Sequence, residues 1–152
     1  MIWITGPPGS GKTTLISSYL EGRRIPCLWY QMDAGDKDPA TFFYNLNQAV
    51  QRAFPRKRKP LPLLTPEYLI STFTRRYFEE LYKRFHPPFL SPGKGGRKGG
   101  FAIVFDNYQE ILPESPFHEI MVNGLANIPE GVNVFLISRS APPSPFIRLR
   151  AN

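Results

Sequence analysis

The chain has 152 residues, 41% hydrophobic and 14% aromatic, enough to form one folded domain with a buried core. No apolar run approaches the ~20 residues of a membrane helix, and a single cysteine, Cys27, excludes an internal disulfide framework and reads as core filler. The net charge of +7 is concentrated in the middle: from Arg52 to Lys98, twelve Lys or Arg stand against Glu67, Glu79 and Glu80.

Ile2-Trp3-Ile4 predicts a first strand over about Met1–Thr5. Residues 6–13 follow as Gly-Pro-Pro-Gly-Ser-Gly-Lys-Thr, a complete G-x-x-x-x-G-K-[ST] phosphate loop. A helical pattern led by Leu15, Ile16, Tyr19 and Leu20 comes next, so the loop has the strand–loop–helix setting it requires. Glycines at 6, 9 and 11 permit backbone angles that a Cβ resists, so the loop's N–H groups can face a phosphate at the positive end of the helix. The candidate nucleotide-binding residues are Gly6, Gly9, Ser10, Gly11, Lys12, Thr13 and Thr14, with Lys12 reaching the β- and γ-phosphates and Thr13 ligating Mg²⁺. Because the first strand leads directly into this loop, no signal peptide is expected, and a reducing, cytoplasmic setting fits.

Gly22 is expected to stop the first helix, and a second strand covers about Ile25–Gln31. Asp38 reads as a helix N-cap with Pro39 at the first helical position, and Phe43, Leu46, Val50 and Phe54 as the buried stripe. Residues 55–64 form a proline-rich basic connector, after which Thr65-Pro66 is expected to start a helix with Ile70, Phe73, Tyr77, Leu81 and Phe85 on one face. Glu79 with Lys83, and Glu80 with Arg84, would pair on its outside. Residues 86–100 are basic and glycine-rich and read as a flexible loop; His86 within them has no metal-ligating neighbours. A third strand, Phe101 to Phe105, is apolar throughout, as a sheet covered on both faces requires. Ser115 then caps a helix carrying Phe117, Ile120, Met121, Leu125 and Ile128. A fourth strand runs Val132–Ser138, and the tail from Ala141 to Asn152 is proline-rich, then basic.

The third strand delivers Asp106 to the sheet edge, the Walker B pattern, where its carboxylate would hold Mg²⁺ together with Thr13. Hydrolysis needs a group that orients the attacking water: Glu110 is the first candidate, and Asn107 could position water but not accept its proton. Arg139, after the fourth strand, would face the γ-phosphate. The candidate catalytic set is therefore Lys12, Asp106, Glu110 and Arg139. Asp33 and Asp36 could assist with water or Mg²⁺, although solubility and capping account for them. This reading requires an anion cradle at the amino edge of the sheet facing a carboxylate on a neighbouring buried strand.

The set formed by Gly6–Thr14, Trp29-Tyr30-Gln31-Met32-Asp33, Asp36-Lys37-Asp38-Pro39-Ala40-Thr41-Phe42-Phe43, Phe105-Asp106-Asn107-Tyr108 and Ile137-Ser138-Arg139 resembles the MalT-type branch of the STAND signalling ATPases. These are large bacterial transcriptional activators of the LuxR and related families. The resemblance implies a nucleotide-operated switch in which ATP promotes self-association, ADP holds the module shut and slow hydrolysis resets it. It assigns Lys12 and Thr13 to Walker A, Asp106 to Walker B and Arg139 to the sensor arginine. Many relatives carry a second acid where this chain has Asn107. The resemblance also implies a three-layer α/β sandwich whose parallel sheet has the order 1-4-3-2, with a fifth strand and a helical lid beyond Asn152. The chain is thus expected to be an ATPase core cut from a longer protein, with DNA contact through a domain it does not contain.

Two other readings compete. A phosphate-loop small-molecule or nucleotide kinase would need arginines closing over the transferred group, and Arg75, Arg76 and Arg84 are available. A nucleic-acid contact through Arg56–Lys59 and Lys94–Lys98 would show steep salt dependence.

Overall fold

The computed structural model describes residues 1–55, 59–85 and 100–151. In chain order the elements are β1 (Ile2–Thr5), α1 (Lys12–Arg23), β2 (Cys27–Gln31), a 3₁₀ turn (Ala34–Lys37), α2 (Pro39–Ala53) and α3 (Ile70–Phe85). They continue with β3 (Phe101–Asp106), a second 3₁₀ turn (Tyr108–Glu110), α4 (Phe117–Leu125), β4 (Val132–Ser138) and α5 (Ser144–Ala151). The four strands form one parallel sheet in the order β1-β4-β3-β2.

Strand alternation divides the core between the two faces of this sheet. Leu28, Tyr30, Ile103, Phe105, Val134 and Leu136 face α2, α3 and α4. Ala102, Val104, Phe135 and Ile137 face Ile16 and Leu20 of α1. Every residue of β3 is buried, which accounts for its unbroken apolar run. The result is the three-layer α/β arrangement expected.

All four carboxyl ends point to one edge, with Thr5 beside Ser138 and Gln31 beside Asp106. The phosphate loop therefore lies at the carboxyl edge of the sheet rather than the amino edge expected from sequence, because it leaves the carboxyl end of β1. With β4 between β1 and β3, residue 139 emerges between the loop and Asp106, at the point where the strand order reverses.

Several local expectations need correction. α1 runs through Gly22 to Arg23, and Arg24 takes the left-handed conformation (φ 52°). Its N–H bonds to Glu21 O at 3.0 Å and that of Ile25 to Leu20 O at 2.9 Å, a Schellman closure sealed by Ile25 against the α1 core. Thr65-Pro66 opens a turn closed by Tyr68 N–H on Thr65 O (3.1 Å), and α3 begins only at Ile70. The same Thr-Pro chemistry that starts helices also starts turns. On α3, Lys83 pairs with Glu80 at i,i+3 (2.7 Å) instead of Glu79, and Arg84 donates to the carbonyl of Lys59 instead of pairing with Glu80. The Pro-rich tail contains α5, whose Phe146 is fully buried against Trp3 and Tyr108. Asp38 caps α2 as expected, accepting the Thr41 N–H at 2.9 Å, whereas the N-cap of α4 is Pro116 and Ser115 stands one residue before it, its Oγ accepting the Phe117 N–H at 3.3 Å. The flexible loop expected at 86–100 lies, except for Gly100, outside the described residues, as does most of the basic stretch of the connector.

Candidate functional site

β1 ends in Thr5, and the loop that follows needs positive φ at Gly9 (73°) and Gly11 (79°), a conformation that any side chain would strain. Gly11 is the residue from which α1 starts, so the helix's unpaired N–H groups open onto the loop. Lys12 Nζ folds back and donates to the carbonyls of Gly6 and Pro7 at 2.8 Å each and to Ser10 Oγ at 3.3 Å. Gly6 and Ser10 thus act within the loop, holding the lysine over it.

Across the cleft, Thr13 Oγ1 lies 3.1 Å from Asp106 Oδ2 and 3.4 Å from Oδ1. The carboxylate's other contact is the Asn107 N–H, 2.8 Å from Oδ1. Asn107 stands at φ 60°, a left-handed position that asparagine tolerates better than most side chains. That turn lets the chain leave the sheet directly behind Asp106 and enter the 3₁₀ turn.

These groups meet in a cleft of about 290 Å³ lined by residues of the loop and of both strand ends. Lys12, Thr13, Thr14, Asp106, Asn107, Gln109 and Arg139 all reach it. Among the described residues no carboxylate pairs with the Arg139 guanidinium, so the cleft holds two cations, one carboxylate and a helix N-terminus. That balance favours a polyanion. The hydroxyl and carboxylate held within hydrogen-bond distance of each other are hard oxygen donors, a set that fits Mg²⁺ bound alongside phosphate oxygens and water. No cluster of three or more His, Cys, Asp or Glu occurs among the described residues, so a metal held by protein side chains alone has no candidate there.

Lys12, Thr13, Asp106 and Arg139 are therefore brought together. Glu110 is exposed and does not line the cleft; its neighbour Gln109 does. Gln109 escaped the sequence reading because an uncharged amide in a loop gives no signal of its own, although it stands three residues after Asp106. Asp33 and Asp36 serve the corner between β2 and α2. Fully buried Asp36 accepts from Tyr30 OH (2.7 Å) and from Asp33 N–H (2.9 Å), while Asp33 accepts from Gly35 N–H (2.7 Å). Burial and the Asp36 bond push the Tyr30 phenol far above its usual range, so it remains a donor. Arg75, Arg76 and Arg84 do not line the cleft.

A strand–phosphate loop–helix at the carboxyl edge of a parallel sheet, facing an acidic strand end, defines a phosphate-loop NTPase core. Residues 1–138 match the AAA domain family, and the chain belongs to it. It is a phosphate-loop region of the MalT type. Over 151 residues it is 29% identical to the HTH-type transcriptional regulator MalT of Vibrio cholerae serotype O1, covering 99% of this chain and 15% of that protein. The MalT regulator of Cronobacter sakazakii is 28% identical over 147 residues (97% of this chain, 15% of that protein). That of Klebsiella pneumoniae is 27% identical over 150 residues (99% and 15%). The chain thus spans about 15% of the length of the curated relatives it matches. Among the described residues no helix is long and apolar enough to cross a membrane.

Proposed function

We propose that this chain is the ATP-binding switch domain of a bacterial transcriptional activator, hydrolysing ATP slowly, with its nucleotide state controlling self-association. The observation that carries the proposal is the convergence of Lys12, Thr13, Asp106 and Arg139 on one cleft at the N-terminus of α1. In this reading the β- and γ-phosphate oxygens replace the Gly6 and Pro7 carbonyls as partners of Lys12. The loop N–H groups would hold the anion, and Thr13 and Asp106 would hold Mg²⁺, which would neutralise phosphate charge. Arg139 faces the terminal phosphate. A water lined up by Asn107, which lines the cleft, would attack the γ-phosphorus. The bond to the β–γ bridging oxygen would break, the water's proton would pass to a γ-phosphate oxygen, and ADP and phosphate would leave. Slow turnover suits a switch, and Asn107 in place of a second acid is consistent with it. The sequence similarity to MalT regulators supports the regulatory role and a cytoplasmic setting, with DNA contact made by another part of the parent protein.

Nucleotide titration of this chain and of Lys12→Ala tests the proposal. The substitution is expected to weaken ATP and ADP by about two orders of magnitude, because it removes charge-assisted bonds to phosphate. Unchanged affinity would end the reading. Sedimentation with ATP against ADP examines the self-association: a higher mass with ATP is expected, and equal masses would remove that part.

A further inference from the structure

Gln109 stands in the 3₁₀ turn after β3 and lines the cleft beside Asp106, Asn107 and Arg139. Its Oε1 accepts the backbone N–H of Arg139 at 3.0 Å, and its Nε2 lies 3.4 Å from both Asn107 Oδ1 and Glu110 Oε1. The two ends of one amide thus hold two strand ends. Arg139 directly follows Ser138, the last residue of β4, where the chain leaves the ladder and its N–H needs a new acceptor. Gln109 supplies it. A continuous set of hydrogen bonds then runs from Thr13 to Asp106, through Asn107 to Gln109, and on to Arg139.

We propose that Gln109 is a positioning residue that sets Arg139 over the terminal phosphate, so that the cleft distinguishes a nucleoside triphosphate from a diphosphate. This rests on the nucleotide-binding reading above. Gln109 fixes the backbone from which the guanidinium projects, and through Asn107 it ties that backbone to the end of β3, which carries the Mg²⁺-side carboxylate. An amide suits the task because it accepts and donates at once without placing a negative charge beside phosphates. A glutamate at this position would keep the acceptor, lose the donor and repel the ligand.

The test is titration of Mg²⁺-ATP and Mg²⁺-ADP into the chain and into Gln109→Ala, Gln109→Met, Arg139→Ala and the double variant Gln109→Ala/Arg139→Ala. Gln109→Met keeps the side-chain volume and removes only its hydrogen bonds. Both Gln109 variants are expected to weaken ATP by about tenfold while leaving ADP within about twofold. ADP affinity therefore reports an intact cleft. With Arg139 already removed, Gln109→Ala should change ATP affinity by less than about twofold, since its effect passes through that side chain. ATP and ADP falling together, fully additive losses in the double variant, or an Arg139→Ala chain that binds ATP normally would each overturn the proposal. An unaltered ATP-to-ADP ratio in the Gln109 variants of a chain that binds both removes this proposal alone. A chain that binds neither nucleotide removes the underlying reading as well.

Discussion

Asp36 and His118 show how buried polar groups brace the site from outside it. Asp36 is fully buried, yet both its oxygens accept hydrogen bonds, so the acidic stretch after β2 is a structural corner and not a reserve of metal ligands. That stretch carries much of the family resemblance, and of the roles its sequence allowed, the capping one is what Asp33 and Asp36 perform. Capping and ligation use the same side chains, and only the partners distinguish them. His118 is buried beneath the 3₁₀ turn that carries Gln109. The Leu112 carbonyl can only accept, so His118 Nε2 (2.8 Å) bears the proton and Nδ1 accepts from Tyr108 OH (3.0 Å). Burial holds the imidazole below its usual range, against smaller opposing effects of the Leu112 bond, Glu114 and Glu119. A histidine depressed in the folded state favours folding above its unfolded pKa and loses that contribution as protons bind the unfolded chain. Stability is therefore expected to fall as pH drops below about 6.5, and His118→Gln to flatten this dependence. Urea unfolding from pH 8 to pH 5 measures it. Equal slopes for the two proteins would show that His118 is not responsible.

Among the elements, those with clean periodicity or capping were readable: β1, β3, β4, the body of α1, and α2 behind Asp38-Pro39. α5 was not. Its Ser144-Pro145 start and its Phe146 and Leu149 spacing are proper helix signals, but they are short and set in a Pro-rich tail. What holds the helix is tertiary: Phe146 sits between Trp3 and Tyr108, with ring centroids at 5.2 and 5.5 Å. α3 and α4 meet closely at Gly124, whose carbonyl accepts from Tyr82 OH at 3.0 Å. A Cβ built on Gly124 would fall 2.4 Å from the Phe78 ring, inside a packed core. Gly124→Ala is accordingly expected to cost about 1–3 kcal/mol, although alanine is the better helix former. Thermal or urea unfolding provides the check, and a neutral or stabilising substitution would show that the two helices separate easily.

For the whole molecule, the strand order places the phosphate loop, residue 139 and Asp106 side by side at one sheet edge. Sequence periodicity alone does not contain that order. It was available because the motifs resemble a family whose order is known, and the pairing of β4 with both β1 and β3 agrees. The layers are unequal among the described residues: α2, α3 and α4 cover one face, while α1 alone packs on the other, with Leu15 and Tyr19 exposed on it. Among the described residues β1 pairs only with β4, which leaves its outer edge open. The basic segments singled out for nucleic-acid contact fall, apart from Lys59, outside the described residues. The site itself is confined to a single edge, which makes it open to direct mapping. Amide chemical-shift mapping during titration with Mg²⁺-ATP is predicted to give its largest changes at residues 9–14, 106–109 and Arg139. Changes centred instead on the apolar cleft at Leu64, Tyr68, Ile70 and Ile120, or no change at millimolar nucleotide, would contradict the account.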